Sequence, residues 1–510
     1  MSRPLSSENT NMDFPKPPSP APASAPQPSA LPWGLPFAEL GPAFSTPVTP
    51  TSLLAPHWVA YDVAVGARLG LPTGWWQSEN YCRAFSGTEP CGTPHASVYA
   101  GHQFGVWAGQ LGDGRALTLG TLAGWEVQLK GAGRTPFSRG GDGRAVLRSS
   151  IREFLACGAM RGLGIPTTEA LCLIGSPAPV RRETLETAAV VTRTARSFLR
   201  FGHFEYFSYL GSAAMLGPLV AHAALHCDAD LQAQANRHWN GNLAAALLTH
   251  VTRSSAELVA QWQAVGFCHG VLNTDNMGIL GITLDYGPFQ FMDAFDPGHI
   301  CNHTDVQGRY AFDQQPDIVH WNLHALAQAL LPELESKDQV MQALAPYATH
   351  FATTYQGLMA RKLGCAADAP ALPGLLDTLL SLLADQAVDY TIFWRRLSHW
   401  VAKHDPADRT VVDLFVHPAP AQEWLTRYVA ALPDADWKAR SERMLAVNPL
   451  YVLRNHIAET AIRAAQTGDF SSAMRVQKIL ATPCVEQPDS EDLAGFPPAW
   501  ADQLAISCSS

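Results

Sequence analysis

Between residues 116 and 200 the hydrophobic positions change period twice. In WEVQLK, Trp125, Val127 and Leu129 alternate with Glu126, Gln128 and Lys130, a period of two that predicts a strand with Lys130 on its polar face. The preceding ALTLG and the turn TLAG make it the second arm of a hairpin. After the turn-rich GAGRTPFSRGGDGR, Leu147, Ile151, Leu155 and Gly158 recur at helical spacing, with Glu153 roughly opposite that stripe. ALCLIG and AAVVTRTA predict two more strands. Beyond residue 210 the pattern turns helical. Leu247, Val251, Ser254, Leu258 and Trp262 form one stripe, and residues 316–405 and 420–480 read as helices broken by Pro/Asp-rich turns. No repeat of fixed period is present.

Composition adds boundaries. Residues 1–32 are rich in Pro, Ser and Ala and poor in aromatics, too little apolar surface to order themselves, so a disordered tail is expected there. The remaining chain, 47% hydrophobic overall, can bury a sizeable core. A net charge of −10 argues against general nucleic-acid or anionic-membrane binding, so any phosphate site must be a local basic cluster. No long uncharged apolar run and no signal-like N-terminus stand out, and the expected location is cytoplasmic. In a eukaryote it would be mitochondrial, although a tail with only Arg3 and Lys16 as basic residues is a poor transit peptide. The ten cysteines are scattered without C-x-x-C or zinc spacing, as for buried thiols in a reducing compartment.

The chemistry concentrates in a few stretches. Glycines at 101, 105, 109, 112 and 114 precede the Lys130 strand, and GDGR occurs at Gly112–Arg115 and again at Gly141–Arg144. Each copy reads either as a phosphate-binding nest with a guanidinium or as a D-G turn. The order of glycine loop, strand, lysine, helix with glutamate and further strands is that of a kinase N-lobe, where Glu153 would position Lys130; two solvated surface charges are the alternative. HGVLNTDN matches the small-molecule-kinase pattern H-G-D-x-x-x-x-N at His269, Gly270 and Asn276, but Val271 stands where the catalytic aspartate belongs. Asp275 is the nearest carboxylate able to replace it. DYGPF follows the apolar run MGILGITL, read as a strand, and puts Asp285 in the metal-ligand place beside Asn276. An Asx turn would also account for Asp275 and Asn276. Arg193, Arg196 and Arg200 lie beside an aromatic patch, either as phosphate forks or as surface arginines flanking a core strand.

GHQFG, LGDGR, LKGAGRTPFSRGGDGRAVLRSSIREFL, LRFGHFEYF, HGVLNTDNMGILGITLDYGPFQFMDAFDP, NPLYVLRNHIAE and the terminal SCSS occur together and in order. This combination resembles the selenoprotein O (YdiU) family of kinase-like protein adenylyltransferases. The resemblance implies an α+β, protein-kinase-like two-lobed fold with a mixed α/β N-lobe and a largely helical, extended C-lobe. Residues 33–210 would form the N-terminal extension and N-lobe, and residues 211–510 the C-lobe with the catalytic loop and a redox tail. It implies inverted ATP binding and Mg2+- or Mn2+-dependent transfer of AMP, or of UMP from UTP, to Ser, Thr or Tyr hydroxyls of protein substrates, redox-related ones included. Gly112, Gly114, Arg115, Lys130, Asp142, Gly143, Arg193, Arg200 and Asp285 would contact the nucleotide, Asp275 would accept the proton, and Asn276 and Asp285 would hold the metal. A monomer is expected. Cys301 and Cys508, the third residue from the end, would form a redox-sensitive disulfide, two unrelated thiols being the alternative. The rival functions are a kinase-like phosphotransferase and an inactive ATP-binding redox scaffold.

Overall fold

The computed structural model describes residues 26–89, 91–432, 436–504 and 506. One antiparallel sheet is built from strands that lie between residues 45 and 195. Its strands run in the spatial order Ser45–Pro47, His95–Ser97, Ala116–Leu122, Trp125–Lys130, Leu185–Ala195, Glu169–Arg181 and His57–Tyr61, with Ala145–Val146 pairing separately on Leu185–Ala195. The predicted hairpin is present. Ala123 and Gly124 both hold positive φ (50° and 77°), the two-residue turn whose twist suits antiparallel arms.

The alternation in WEVQLK is real, but its polar side is not solvated. Glu126, Gln128 and Lys130 are each buried, because this strand is central in the sheet, and Lys130 alone of the three lines the cleft. The helix Leu147–Gly162 packs across the sheet, with Leu147, Ile151, Leu155 and Gly158 buried as the stripe requires. Glu153, expected away from that stripe, is buried as well.

Helices follow. Leu243–Val265 is capped by the Asn242 side chain, which accepts from Ala245 N at 2.9 Å, and ends on Gly266 in the left-handed region (φ 71°). Its stripe is buried except Ser254, which is half-buried. Helices drawn from both sides of the expected boundary at 210 share one core. Asn455–Gln466 and Ser471–Leu480 return to pack on Leu147–Gly162, and a Cβ at Gly158 or Gly162 would collide with Gln477 or with the Leu480 carbonyl.

Two expectations need correction. MGILGITL is not a strand: it folds back at Gly281 (φ 63°), which lies against Ser254, and pairs Met277 with Thr283 in a single bridge. Within the expected tail, Pro28–Ala30 forms a 3-10 turn with Pro28 buried, Pro26 accepts from Tyr81 Oη at 3.0 Å, and the indole of Trp33 donates to Pro28 O. Aromatic partners outside that stretch supply the surface its own composition lacks. Residues 1–25 lie outside the described residues. Among the described residues no helix is long and apolar enough to cross a membrane.

Candidate active site

A cavity of about 520 Å3 opens where the sheet meets the segment 269–288. At its inner end, cross-strand pairing sets Gln128 beside Arg193 on adjacent strands, so their side chains share a face. Gln128 Oε1 accepts from Arg193 Nε at 3.0 Å and from Nη2 at 2.7 Å, fixing the guanidinium plane. Arg193 Nη1 then reaches Glu153 Oε1 at 2.9 Å and Asp285 Oδ1 at 3.1 Å. Lys130 Nζ bonds Glu153 Oε2 at 2.6 Å and also pairs with Asp285. Arg200 adds a third cation, 3.9 Å from Asp285 Oδ2, its guanidinium over the Tyr99 ring. Burial alone would raise the Asp285 carboxyl; Lys130, Arg193 and Arg200 outweigh it and hold the group ionised, well below the usual carboxylate range.

The second wall is the turn Thr274–Asn276. Asn276 donates its Nδ2 to the Val271 carbonyl at 3.1 Å, which commits the amide nitrogen and leaves its oxygen for another partner. Val271 therefore serves the loop through its backbone. Arg200 Nη1 donates to the Asp275 carbonyl at 2.6 Å, and Gln103 Nε2 donates to Asp275 Oδ2 at 3.2 Å, while Oδ1 is buried with no partner among the described residues. Burial pushes the Asp275 carboxyl up to about 6 against the opposing pull of Arg200 and Gln103. His269 lies behind the loop, its imidazole lowered to about 4 chiefly by burial. An ionised Asp285 and an oriented Asn276 oxygen are hard donors that line the same cavity from its two walls and fit a small divalent cation. Among the described residues no three His, Cys, Asp or Glu side chains converge, so such an ion would complete its shell with phosphate and water.

Both GDGR copies border the cavity. Gly112 holds φ 139° with Phe137 pressed against it, and Gly143 holds φ 68° against the Gly133 carbonyl, so neither position has room for a side chain. Asp142 lies at the outer rim and is held at about 2, first by its bonds from Arg182.

Gly112, Gly114, Arg115, Lys130, Asp142, Gly143, Arg193, Arg200, Asp275, Asn276 and Asp285 thus all line the same cavity. Glu153 sits directly behind Lys130. Arg196 instead points outward, over Trp125. Cys301 lies behind the loop, its Sγ 2.6 Å from where a Cβ on Gly270 would stand, and Cys508 is outside the described residues. The sequence reading missed Gln128, Gln103 and Arg182. Gln128 was visible as a polar residue on the lysine face, and Gln103 as part of GHQFG; nothing local marked Arg182.

The family model described as Protein adenylyltransferase SelO matches residues 30–480. Protein nucleotidyltransferase YdiU of Albidiferax ferrireducens is 53% identical, over 94% of this chain and 97% of its own. The proteins of that name in Variovorax paradoxus (53%, over 94% and 97%) and Cupriavidus pinatubonensis (48%, over 93% and 94%) are similarly alike. By a match that covers most of its length, this chain belongs to the SelO family.

Proposed function

We propose that this enzyme, a protein nucleotidyltransferase, binds ATP with its triphosphate directed into the cleft and transfers AMP to a Ser, Thr or Tyr hydroxyl of a protein substrate. UMP transfer from UTP would use the same phosphate contacts. The observation that carries the reading is the inner wall, where three cations, Lys130, Arg193 and Arg200, meet two carboxylates, Glu153 and Asp285. The cations Lys130, Arg193 and Arg200 lie together, with the buried Asp113 facing both arginines as a third carboxylate, and they suit the β- and γ-phosphates, while Asp275 lines the same cavity, where the α-phosphate would lie.

Asp275 takes the proton of the attacking hydroxyl, whose oxygen bonds to the α-phosphorus as the bond to pyrophosphate breaks. Lys130 and Arg193 hold the departing pyrophosphate's charge, and Glu153 keeps both cations in place. Asn276 and Asp285 would hold Mg2+, which supplies charge neutralisation at the phosphates when bound. Electrostatic placement, with little covalent chemistry from the protein, accounts for the catalysis. The sheet half and the helical half act as the two lobes of a kinase-like fold.

The redox pairing is supported by the path of the chain: His303 bonds the Ile506 carbonyl through N at 3.3 Å and Nδ1 at 2.8 Å, so residue 506 lies beside the segment that carries Cys301. A Cys301–Cys508 disulfide would act on the loop through Gly270, the residue in contact with Cys301.

Incubation with α-labelled and, separately, γ-labelled ATP plus Mg2+ tests the reaction. Protein-bound α-label that disappears in Asp285→Ala is expected. Protein-bound γ-label alone would replace this reading with a kinase, and tight ATP binding without either label would favour the scaffold.

A further inference from the structure

The motif GHQFG takes no part in the phosphate chemistry above, yet it touches the base. Ala100–Gln103 and Val106–Gln110 form a separate two-stranded hairpin, and among the described residues Val106–Gln110 has a strand partner on one side only. Its inner strand is clamped to the catalytic turn: His102 N donates to Thr274 Oγ1 at 2.7 Å, and Phe104 N donates to Asn273 Oδ1 at 3.2 Å and Tyr310 Oη at 2.8 Å.

Gln103 and Val106 are cross-strand partners, so their side chains share a face. Gln103 bonds Asp275, which puts Val106, 69% exposed, on the side of the base. His102 and Trp107 share the opposite face. Trp107 packs on Tyr209 (ring centroids 4.8 Å) and His102 on Trp321 (5.4 Å), anchoring the hairpin to the helices Phe201–Tyr209 and Gln315–Leu330. At the tip Phe104, 41% exposed, holds φ 51°, and the Arg309 guanidinium closes on Gly105. Arg309, against Gly105, and the adjacent Gly308, against Ile300 (43% exposed), lie between the tip and Ile300, so a guanidinium separates the two apolar patches.

The cleft is therefore charged on its inner wall and bordered outside the base by an apolar ledge. A hydroxyl attacking the α-phosphorus has to come within about 3 Å of the base. Of this hairpin Gln103 lines the cavity, and Phe104 and Val106 stand outside it, beside the path a polypeptide reaching Asp275 would take. We propose that Phe104, Val106 and Ile300 form the docking ledge for the acceptor segment of the protein substrate, an extended stretch with an apolar side chain next to the modified hydroxyl. The free strand edge of Val106–Gln110 suits an extended partner. This rests on Asp275 being the base.

The test labels the proteins of a desalted bacterial lysate with α-labelled ATP, using the full chain and its Val106→Asp and Val106→Ile variants, with calorimetric ATP affinity measured alongside. Expected are an at least tenfold loss of labelling in Val106→Asp, near-normal labelling in Val106→Ile, and unchanged ATP affinity in both. Leu185→Asp, an equally exposed apolar position on another hairpin, should label normally. Undiminished labelling by Val106→Asp overturns the ledge and leaves the reaction standing. A parallel loss of ATP affinity also overturns it, as would sedimentation showing that Val106→Asp dissociates a dimer. Absence of label with the unsubstituted chain overturns both readings.

Discussion

Gly101→Ala isolates the placement of Asp275, the proposed base, from its chemistry. Gly101 does not hold the left-handed φ that demands glycine, so alanine strains no backbone dihedral there. What it lacks is space: the new Cβ would stand 2.9 Å from Asp275 Oδ1, 3.0 Å from Asp275 Cβ and 3.0 Å from Thr274 Oγ1. Ordinary contacts of this kind need roughly 3.5–4 Å, so the turn must retreat by about 0.5–1 Å. The cost in stability is that of a small overpacking, about 1–3 kcal/mol. A displacement near 1 Å at a reacting group costs about 100-fold in rate. The expected phenotype is thus a 10- to 100-fold fall in single-turnover α-label transfer with ATP affinity changed by less than about threefold. Because the loss acts through Asp275, it should nearly vanish when Gly101→Ala is added to Asp275→Ala, the expected behaviour of coupled residues. A normal transfer rate in Gly101→Ala, or losses that multiply in the double variant, would refute the placement argument.

Two further outcomes are expected. Gln128→Leu removes the acceptor for two N–H groups of a buried guanidinium and should lower stability by about 2–3 kcal/mol in urea unfolding while raising the KM for ATP; a change under about 0.5 kcal/mol would show that Arg193 is held otherwise. Glu126, pushed up to about 7 chiefly by burial, binds its proton more tightly folded than unfolded. Its favourable contribution is complete below the ordinary value near 4.5 and is lost as pH rises through 7. Glu126→Gln should therefore be more stable than the parent at pH 8, by roughly 3 kcal/mol at about 1.4 kcal/mol per tenfold, and the advantage should vanish near pH 4.5. A pH-independent difference would show that burial does not control this carboxyl.

Local pattern carried the sequence reading a long way. Alternation located the Lys130 strand, because a hairpin arm must offer alternate residues to opposite faces. Alternation does not distinguish a polar face open to solvent from one buried beside a cleft, so by itself it gives Gln128 no role. MGILGITL misled for a related reason: apolar content records burial, and the same residues are buried whether the segment runs straight or folds back at Gly281. Asp275, Asn276 and Asp285, which line one cavity, stand out in the sequence by their match to kinase-type patterns within one short stretch. The Arg182–Asp142 pair, 40 residues apart, and the Gln103–Asp275 pair, 172 apart, depend on tertiary closure that no local window contains.

The helices that return to the sheet half also set a timetable. Arg152, on the helix that carries Glu153, donates to Asn455, 303 residues later in the chain. At about 5–20 residues per second, a ribosome needs about 15–60 s to make the intervening stretch. During that interval the helix that carries Glu153 lacks its packing against Asn455–Gln466. The helix whose Glu153 holds Lys130 therefore completes its contacts only late in synthesis, and a chain stopped before residue 455 would leave it without that support.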